Sequence, residues 1–561
     1  MKKILLIFIA VMSFISCDKT LDRLLDNPNS PSPDQADANL YLNQAELSFA
    51  SFFNTASGFG MELTRMLSMF GPRYDNTYTP QSYDGIWNTA YTGVIKHCNA
   101  LIPIADAQKR YVHVGMAKIM KAYTFFTLAD MFGNVPFTEA NLGVENLNPK
   151  ADPGATVYAG AIALLDEAIA DLAKTSAATP GSQDLFFGGN ATRWITTAKT
   201  LKLRALMNTR LVDASAKAKI EAILNAGDII DADNEDWEFK YSKKGSNPNS
   251  RHPRYNGNHT STGAGDYIAT YFMWSLAVEK GTGDANNDPR TRYYLYRQRT
   301  NYAAVNENTI NCYGQAYPGH YETGLTNPYT NTTYDMPFCL LISGYWGRDH
   351  GDDSGIPPDG QYRTTVGVYP FGGRFDNNQG ANVAVDFGGQ GAGIQPLWQS
   401  SFTEFLRAEY ELMLNNNAAN ARVRLENGMR KSINKVINFP TAIGYPETIP
   451  TTRIPDAARI DGYVNKVLAA YDNAATTSAK LNIIMKEYYM ALWGNGVDAY
   501  NMYRRTNKPE FMQYVLEPSP GPFINSHFYP SVFVNRNLNA AQKPNVGVPV
   551  FWDNWPANSR R

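Results

Sequence analysis

The sequence predicts a mostly α fold, built of helical hairpins and interrupted by one long irregular insertion. Three observations carry this. Residues 38–226 and 402–505 repeat apolar positions at the spacing of amphipathic helices. Residues 227–400 lose that spacing and fill with Gly, Asn, Pro and Tyr. Of the 34 tyrosines in the 561-residue chain, 16 fall between positions 241 and 400. An irregular stretch of that length is either functional or disordered, and its aromatic content argues against disorder.

The elements follow in order. Residues 115–132 are apolar nearly all round in their second half, which predicts a buried helix, and Gly133-Asn134-Val135-Pro136 stops it. Over 155–173, Ala161, Leu165, Ala168 and Leu172 share one face. Asp152-Pro153 ahead of them offers an N-cap carboxylate and a proline suited to a first turn. In the next helix Trp194, Ala198, Leu201 and Ala205 form a stripe opposite Lys199, Lys202 and Arg210. Helical spacing survives within the insertion only at 264–279, then returns over 402–437 and 460–505. Residues 509–561 form a Pro-rich tail. The 34-residue tetratricopeptide consensus is not visible, although helix pairs joined by short turns are compatible with degenerate repeats.

Composition narrows the function. Lys plus Arg number 51 and Asp plus Glu 52, a near-neutral balance without the electrostatic footprint of a nucleic-acid binder. Charged residues are 18%, below the roughly 25% of a typical soluble protein. The polar surface therefore falls to Asn, Thr, Ser, Gln and Tyr, a chemistry suited to uncharged polar ligands such as sugars.

The N-terminus reads as a leader. Met1-Lys2-Lys3 is a positive n-region, and the apolar run Ile4 to Phe14 is shorter than the roughly 20 residues a membrane-spanning helix needs. Cys17 follows the small residue Ser16 and resembles the lipidated cysteine of a bacterial lipobox, with Phe14 where Leu is usual. On this reading residues 1–16 are a removed signal peptide. Residues 17–37 are a lipidated N-terminus and polar tether that anchors the chain without spanning the membrane. Of the other cysteines, Cys98 lies on a helical stripe as a small core hydrophobe. Cys312 and Cys339 are free to pair in an oxidising compartment, and no spacing suits zinc.

Several motifs invite a catalytic or metal reading. His350-Gly351-Asp352-Asp353-Ser354-Gly355 approaches the glycine-flanked serine of a protease but has an extra Asp and reads as a loop. Asp231, Asp233, Glu235, Asp236 and Glu238 imitate a calcium loop with Asp236 where an EF-hand needs Gly. An irregular calcium site there, or at Asp284/Asn286/Asp288, is the alternative to a solvated acidic loop. Otherwise no cofactor is expected. The glycine-rich run 388–393 lacks the strand–helix context of a phosphate loop. No carboxylate pair stands out as that of a glycosidase. The remaining signal is aromatic rings on irregular segments, which stack on the apolar face of a sugar while amides bind its hydroxyls. Trp274, Trp346 and Trp398 in the insertion, and Tyr74, Tyr78, Tyr83 and Trp87 between two early helices, are the candidate ligand-binding residues.

Residues 484–506 (IMKEYYMALWGNGVDAYNMYRRT) with Lys508-Pro509 resemble a hallmark of the SusD/RagB family of Bacteroidetes outer-membrane lipoproteins, in its SusD-like branch. Five further stretches agree in order: Asn27-Pro28-Asn29, GMAKIMKAYTFFTLADMFGNVPF at 115–137, the Trp-led helix 194–212, FTEFLRAEYELML at 402–414, and His527-Phe528-Tyr529-Pro530. The resemblance implies one SusD-like domain over 38–561, with four tetratricopeptide-like helix pairs packed on one side against a SusC-like TonB-dependent transporter. It implies a surface-exposed, lipid-anchored captor of oligosaccharide or peptide, without catalytic residues, whose ligand site lies in the insertion. The competing reading is a surface glycosidase.

Overall fold

The computed structural model describes residues 37–302, 305–354, 359–556 and 559–560. The leader, Cys17 and the tether up to residue 36 lie outside the described residues.

Helix α1 (Ala38–Leu63) starts where Asp37 accepts the Asn39 N–H, and it buries Leu42, Phe49, Phe52 and Phe53. Short helical turns from Pro80 lead into α2 (Lys96–Ala107). Helix α3 (Tyr111–Phe132) is buried nearly all round, as its apolar second half predicts, and stops at Gly133 with φ +77°. Helix α4 (Gly154–Leu172) packs on α3 and buries Ala161, Leu165, Ala168 and Leu172. Its predicted cap is wrong. Asp152 does not cap α4 but accepts the Phe137 and Thr138 N–H groups, both at 2.8 Å, while Asn134 takes the Gly154 N–H. The loop 134–138 folds back over the start of α4 and draws the carboxylate away from it.

Helix α5 (Ala191–Thr209) is capped by Asn190 and buries the predicted stripe Trp194, Ala198, Leu201 and Ala205; α6 (Ala216–Ala226) completes the pair. Strand β1 (Trp237–Lys240) then opens the insertion, and β6 (Ile394–Trp398) pairs with it antiparallel to close it. The insertion is therefore a loop tied shut at its neck. Inside it lie α7 (Thr270–Ala277), the ladder of β2 (Leu295–Arg297) with β5 (Thr364–Val366), and the hairpin of β3 (Leu325–Thr326) with β4 (Thr333–Tyr334). The helix predicted over 264–279 shrinks to α7, because Ile268 and Ala269 bridge to Leu67 and Arg348 as extended chain.

Helices α8 (Ser400–Met413) and α9 (Ala418–Ala442) pair across a turn at Asn416, φ +51°. Helices α10 (Ala457–Asn473) and α11 (Thr477–Ala491) form the next hairpin, followed by α12 (Gly496–Thr506), buried along its whole length. The antiparallel hairpins make a mostly α, tetratricopeptide-like superhelix. Helix α12 crosses α1 glycine on glycine: a Cβ at Gly60 would lie 2.0 Å from the Gly496 carbonyl oxygen.

Charged groups are paired inside this core. Arg505 donates bidentately to Glu409 (2.9 and 2.7 Å) and to Asn208 at 2.6 Å, and Arg210 reaches Glu409 at 2.8 Å. Burial alone would raise the Glu409 carboxyl, but the two guanidiniums hold it below the usual range. Arg204 donates to Asp498 at 2.5 Å. Asp130 accepts from Tyr158, from Asn501 at 2.7 Å and from Trp552 at 2.9 Å.

Breaking one member of a buried pair strands the other, which costs about 3–5 kcal/mol. Arg505→Ala leaves Glu409 with Arg210 but strands Asn208 and one edge of the carboxylate, so it is expected to destabilise by the lower end of that range, about 3 kcal/mol, in chemical denaturation. Lysine at the same position should recover only part of it, having no planar fork to match a carboxylate.

Glu46 behaves oppositely. It is buried next to Asp184, and burial first, then the Asp184 charge, pushes its carboxyl up to about 9. The unfolded chain gives up this proton near pH 4.5, so the folded state binds more protons between those values and stability falls as pH rises through that window. Glu46→Gln keeps a neutral donor beside Asp184. Its melting temperature should exceed that of the wild type at pH 8 and match it near pH 4.5.

Candidate functional site

The seven aromatics proposed from sequence do not form a ligand platform. Trp398 is fully buried with its indole N–H on Thr403 Oγ1 at 2.9 Å. Trp346 is buried against Cys312, Cys339, Val305 and Ile310. Trp274 is buried under Tyr334, stacked at 4.9 Å between ring centres. Tyr83 is buried with its hydroxyl 2.9 Å from His527 Nδ1, and Trp87 packs against Tyr91, Phe132 and Phe533. Tyr74 is buried between Arg65 and His350. Tyr78 is half-buried, but its hydroxyl is spent on Glu62, whose carboxyl burial pushes up to about 7. The correction has one cause. These rings carry so much apolar surface that the insertion and the first loop use them to pack onto the helices.

The other motifs resolve as structure. His350 Nε2 faces Tyr74, while the Ser354 hydroxyl donates to Asp352, so histidine and serine are not aligned as nucleophile and base. The carboxylates of the acidic stretch meet cations or hydroxyls: Asp236 and Glu238 pair with Lys435 at 2.9 and 2.7 Å, Glu235 with Arg193, and Asp233 accepts from Ser400. Asp284 and Asp288 meet arginines. Among the described residues no group of three His, Cys, Asp or Glu could hold a metal.

Two of the exposed rings sit close together in sequence on a loop of the insertion. Cys312 and Cys339, 27 residues apart, are joined in a disulfide. Directly after Cys312, Tyr313 is 41% and Tyr317 39% exposed. Tyr317 stands edge-on to Tyr321 and Phe338, both at 5.9 Å, and its hydroxyl donates to the Met336 carbonyl at 2.8 Å. His320 lies edge-on to Tyr321 and bonds the Val515 carbonyl at 2.9 Å; Tyr514 donates to Glu322 at 3.1 Å. Beneath this wall Asp349 is buried and accepts from the Cys339 N–H at 3.0 Å and from Gln513 at 2.5 Å. Burial pushes its carboxyl up to about 7. Insertion and tail are thus sewn together behind the exposed rings. The signal for them was legible: Tyr313 and Tyr317 sit among Gly and Pro, with no apolar stripe to pack into.

The β3–β4 hairpin comes just before Met336 in the chain, and behind it lies a cleft of about 320 Å³. Tyr329 and Tyr334 supply its rings, and Asn327, Asn331, Asn473 and Asn482 its amides. Lys486 reaches into it, 2.8 Å from the Tyr271 hydroxyl and 3.1 Å from Glu279. Burial pushes this ammonium below the usual lysine range. Glu279 also meets Lys280 at 3.3 Å, and Glu510 pairs with Lys508. The two carboxylates of the cleft are thus held by lysines. Rings beside amides match a polar ligand with apolar faces better than a reaction requiring a free acid and base.

The family model described as "Starch-binding associating with outer membrane", a SusD-like model, matches residues 28–341, and that of the "Susd and RagB outer membrane lipoprotein" matches residues 393–537. None of the curated proteins compared matches the chain in sequence. Among solved structures, a SusD/RagB family protein from Bacteroides thetaiotaomicron superposes with a TM-score of 0.65 at 18% identity, over 92% of this chain and 99% of its own. A chitin-binding protein gives a TM-score of 0.63 at 17% identity, over 92% and 100%. A chitin-binding SusD homologue from Flavobacterium johnsoniae gives 0.58 at 18%, over 91% and 99%. Among the described residues no helix is long and apolar enough to cross a membrane. The two models together cover both the helical scaffold and most of the insertion, and the chain belongs to the SusD/RagB family of nutrient-binding outer-membrane lipoproteins.

Proposed function

We propose that this protein is a non-catalytic captor of oligosaccharide, anchored through lipid on Cys17, which passes its ligand to a SusC-like TonB-dependent transporter. The observation that carries this reading is the exposed Tyr313–Tyr317 wall together with the amide-lined cleft between the β3–β4 hairpin and helices α10 and α11. Ring faces bury the apolar faces of sugar rings, and carboxamides replace water at hydroxyls. The disulfide and Asp349 hold the wall before ligand arrives, which lowers the entropy cost of binding. The pairing of Glu279 and Glu510 with lysines supports capture over hydrolysis. Chitooligosaccharides are the first ligands to test, since two fold neighbours are described as chitin-binding.

The helical side offers a surface for the transporter. Leu147 is 72% and Leu538 91% exposed. The two segments adjoin, with the Leu538 N–H 2.8 Å from Asn148 Oδ1 and Asn539 on the Asn148 carbonyl at 2.6 Å. Large apolar side chains so exposed beside one another mark an interaction surface.

Titration calorimetry with a panel of neutral oligosaccharides should give saturable binding to at least one. Tyr317→Ala should weaken it about 5- to 10-fold, on the order of 1 kcal/mol for one lost ring contact, at an unchanged melting temperature. Unaltered affinity would remove Tyr317 from the site. Isolation of the native protein from outer membranes should bring down a barrel of about 22 strands, the size of plugged transporters. Leu147→Asp with Leu538→Asp should reduce recovery of that barrel and leave ligand affinity in solution intact.

A further inference from the structure

Between the insertion and the turn that leads into α10, a cavity of about 210 Å³ is lined by Arg292, Arg297, Arg453, Asp284, Ser343 and Asn378, among others. It is smaller than the roughly 300–1,000 Å³ of a drug-sized site and has room for the acidic end of one sugar residue. A fourth guanidinium, Arg459, stands just behind, 2.8 Å from the amide oxygen of the lining residue Asn287.

These four cations face two carboxylates. Asp284 takes Arg292 at 2.8 and 2.9 Å and Arg453 at 2.6 Å. Asp376 takes Arg297 at 2.6 and 3.0 Å and Arg292 at 3.3 Å. The nearby Asp288 is committed to Arg290, at 2.9 and 2.7 Å. Among the described residues Arg459 has no carboxylate within ion-pair distance, and its Nε is buried without an acceptor. Burial holds this guanidinium below the usual arginine range, the condition of a cation short of a counter-charge. Arg453 spends one N–H on Asp284 and stays 34% exposed. Arg505 and Arg210 also crowd one carboxylate, Glu409, but they do so in a packed core and not beside a cavity. Here positive charge is left over around a hollow.

We propose that this cavity binds the carboxylate of an acidic sugar residue, a uronic acid, with Arg453 and Arg459 as its partners. A planar guanidinium presents paired N–H groups that match a carboxylate. Ser343, Asn287 and Asn378 supply hydroxyl-directed polar groups around it. The Tyr345 ring, which carries Arg297 over its face at 4.7 Å, supplies an apolar wall. Ser343 follows Cys339 by four residues, no more than about 14 Å of extended chain. The proposal rests on the reading of the protein as an oligosaccharide captor and narrows its ligand to acidic glycans.

The test compares trigalacturonate with the neutral galactotriose by calorimetry on the full folded chain, with glucuronate and inorganic phosphate as competitors. Binding of the acidic oligosaccharide at least 10-fold tighter than the neutral one, weakened by added salt, supports the site. Arg453→Gln should erase that preference and leave neutral binding and melting temperature as they are. Arg459→Gln gives a second variant, on α10 and not in the turn before it that carries Arg453, and should act in the same direction. Equal affinity for acidic and neutral sugars, or a preference that survives both substitutions, overturns the acidic site while leaving oligosaccharide capture standing. Competition by phosphate as strong as by glucuronate also overturns it, reducing the cavity to a bare anion hole. If neither these ligands nor the neutral panel bind, both readings fall together.

Discussion

The rest of the structure depends on the ion pairs buried around α12. Moving a guanidinium and a carboxylate out of water costs several kcal/mol for each ion, and only close, well-directed pairing offsets it. Here the partners come from distant parts of the chain: Arg505 with Glu409 and Asn208, Arg204 with Asp498, and Arg504 with the Asp130 carbonyl at 2.6 Å. A core made only of leucines and phenylalanines tolerates slippage between helices. A slip of one helical turn here would bury an unmatched charge. The pairs thus fix register among α3, α5, α8 and α12. Arg560 extends the same constraint to the tail, bound to Asp553 at 2.6 Å.

That register sets where the insertion can go. The N-cap of α12 is Asn495, whose amide donates to the Pro396 and Leu397 carbonyls at 3.1 Å each, holding strand β6. The neighbouring Gly494 carbonyl takes the Ser57 hydroxyl of α1 at 2.8 Å. The neck of the insertion is therefore fastened to the most constrained helix in the molecule. Beyond the neck, short ladders, the disulfide and Asp349 carry the constraint outward to Tyr317. The exposed wall is built on irregular backbone, yet each irregular segment is tied to something regular.

The helices were legible in the sequence because their information is local. The stripe from Trp194 to Ala205 says which face is buried without reference to any partner. The length and aromatic character of the insertion were legible for a similar reason. Which of the large rings pack inward was not. Choosing Trp274, Trp346 and Trp398 assumed that large rings on irregular chain face outward, whereas burial is decided by what the chain folds back against. Trp398 meets Phe402 and Thr403 just beyond it. Trp346 is buried with the disulfide loop, a contact invisible until Cys312 and Cys339 are paired. Asp152 failed as a helix cap in the same way, since its better partners lie in a loop fourteen residues before it. Tyr313 and Tyr317 stay outside because Gly314, Pro318 and Gly319 hold them on a loop whose apolar anchor, Cys312, is already spent.

A near-neutral chain of this size leaves few ways to recognise a ligand at long range. With 51 basic and 52 acidic residues, most of them matched where they are buried, the molecule lacks a global field to steer charge. Recognition then falls to short-range complementarity, where rings and amides discriminate by shape and hydrogen-bond count. In such a background a local imbalance has more meaning than it would on a strongly basic protein. The cavity beside Arg453 and Arg459 is such an imbalance, with four guanidiniums around two carboxylates. In the proposed reading the neutral wall would hold its ligand by stacking and the charged hollow by ion pairing, two different kinds of physics. Salt weakens the second and spares the first, so the ionic strength of the surroundings would shift the balance between neutral and acidic ligands without any change in fold.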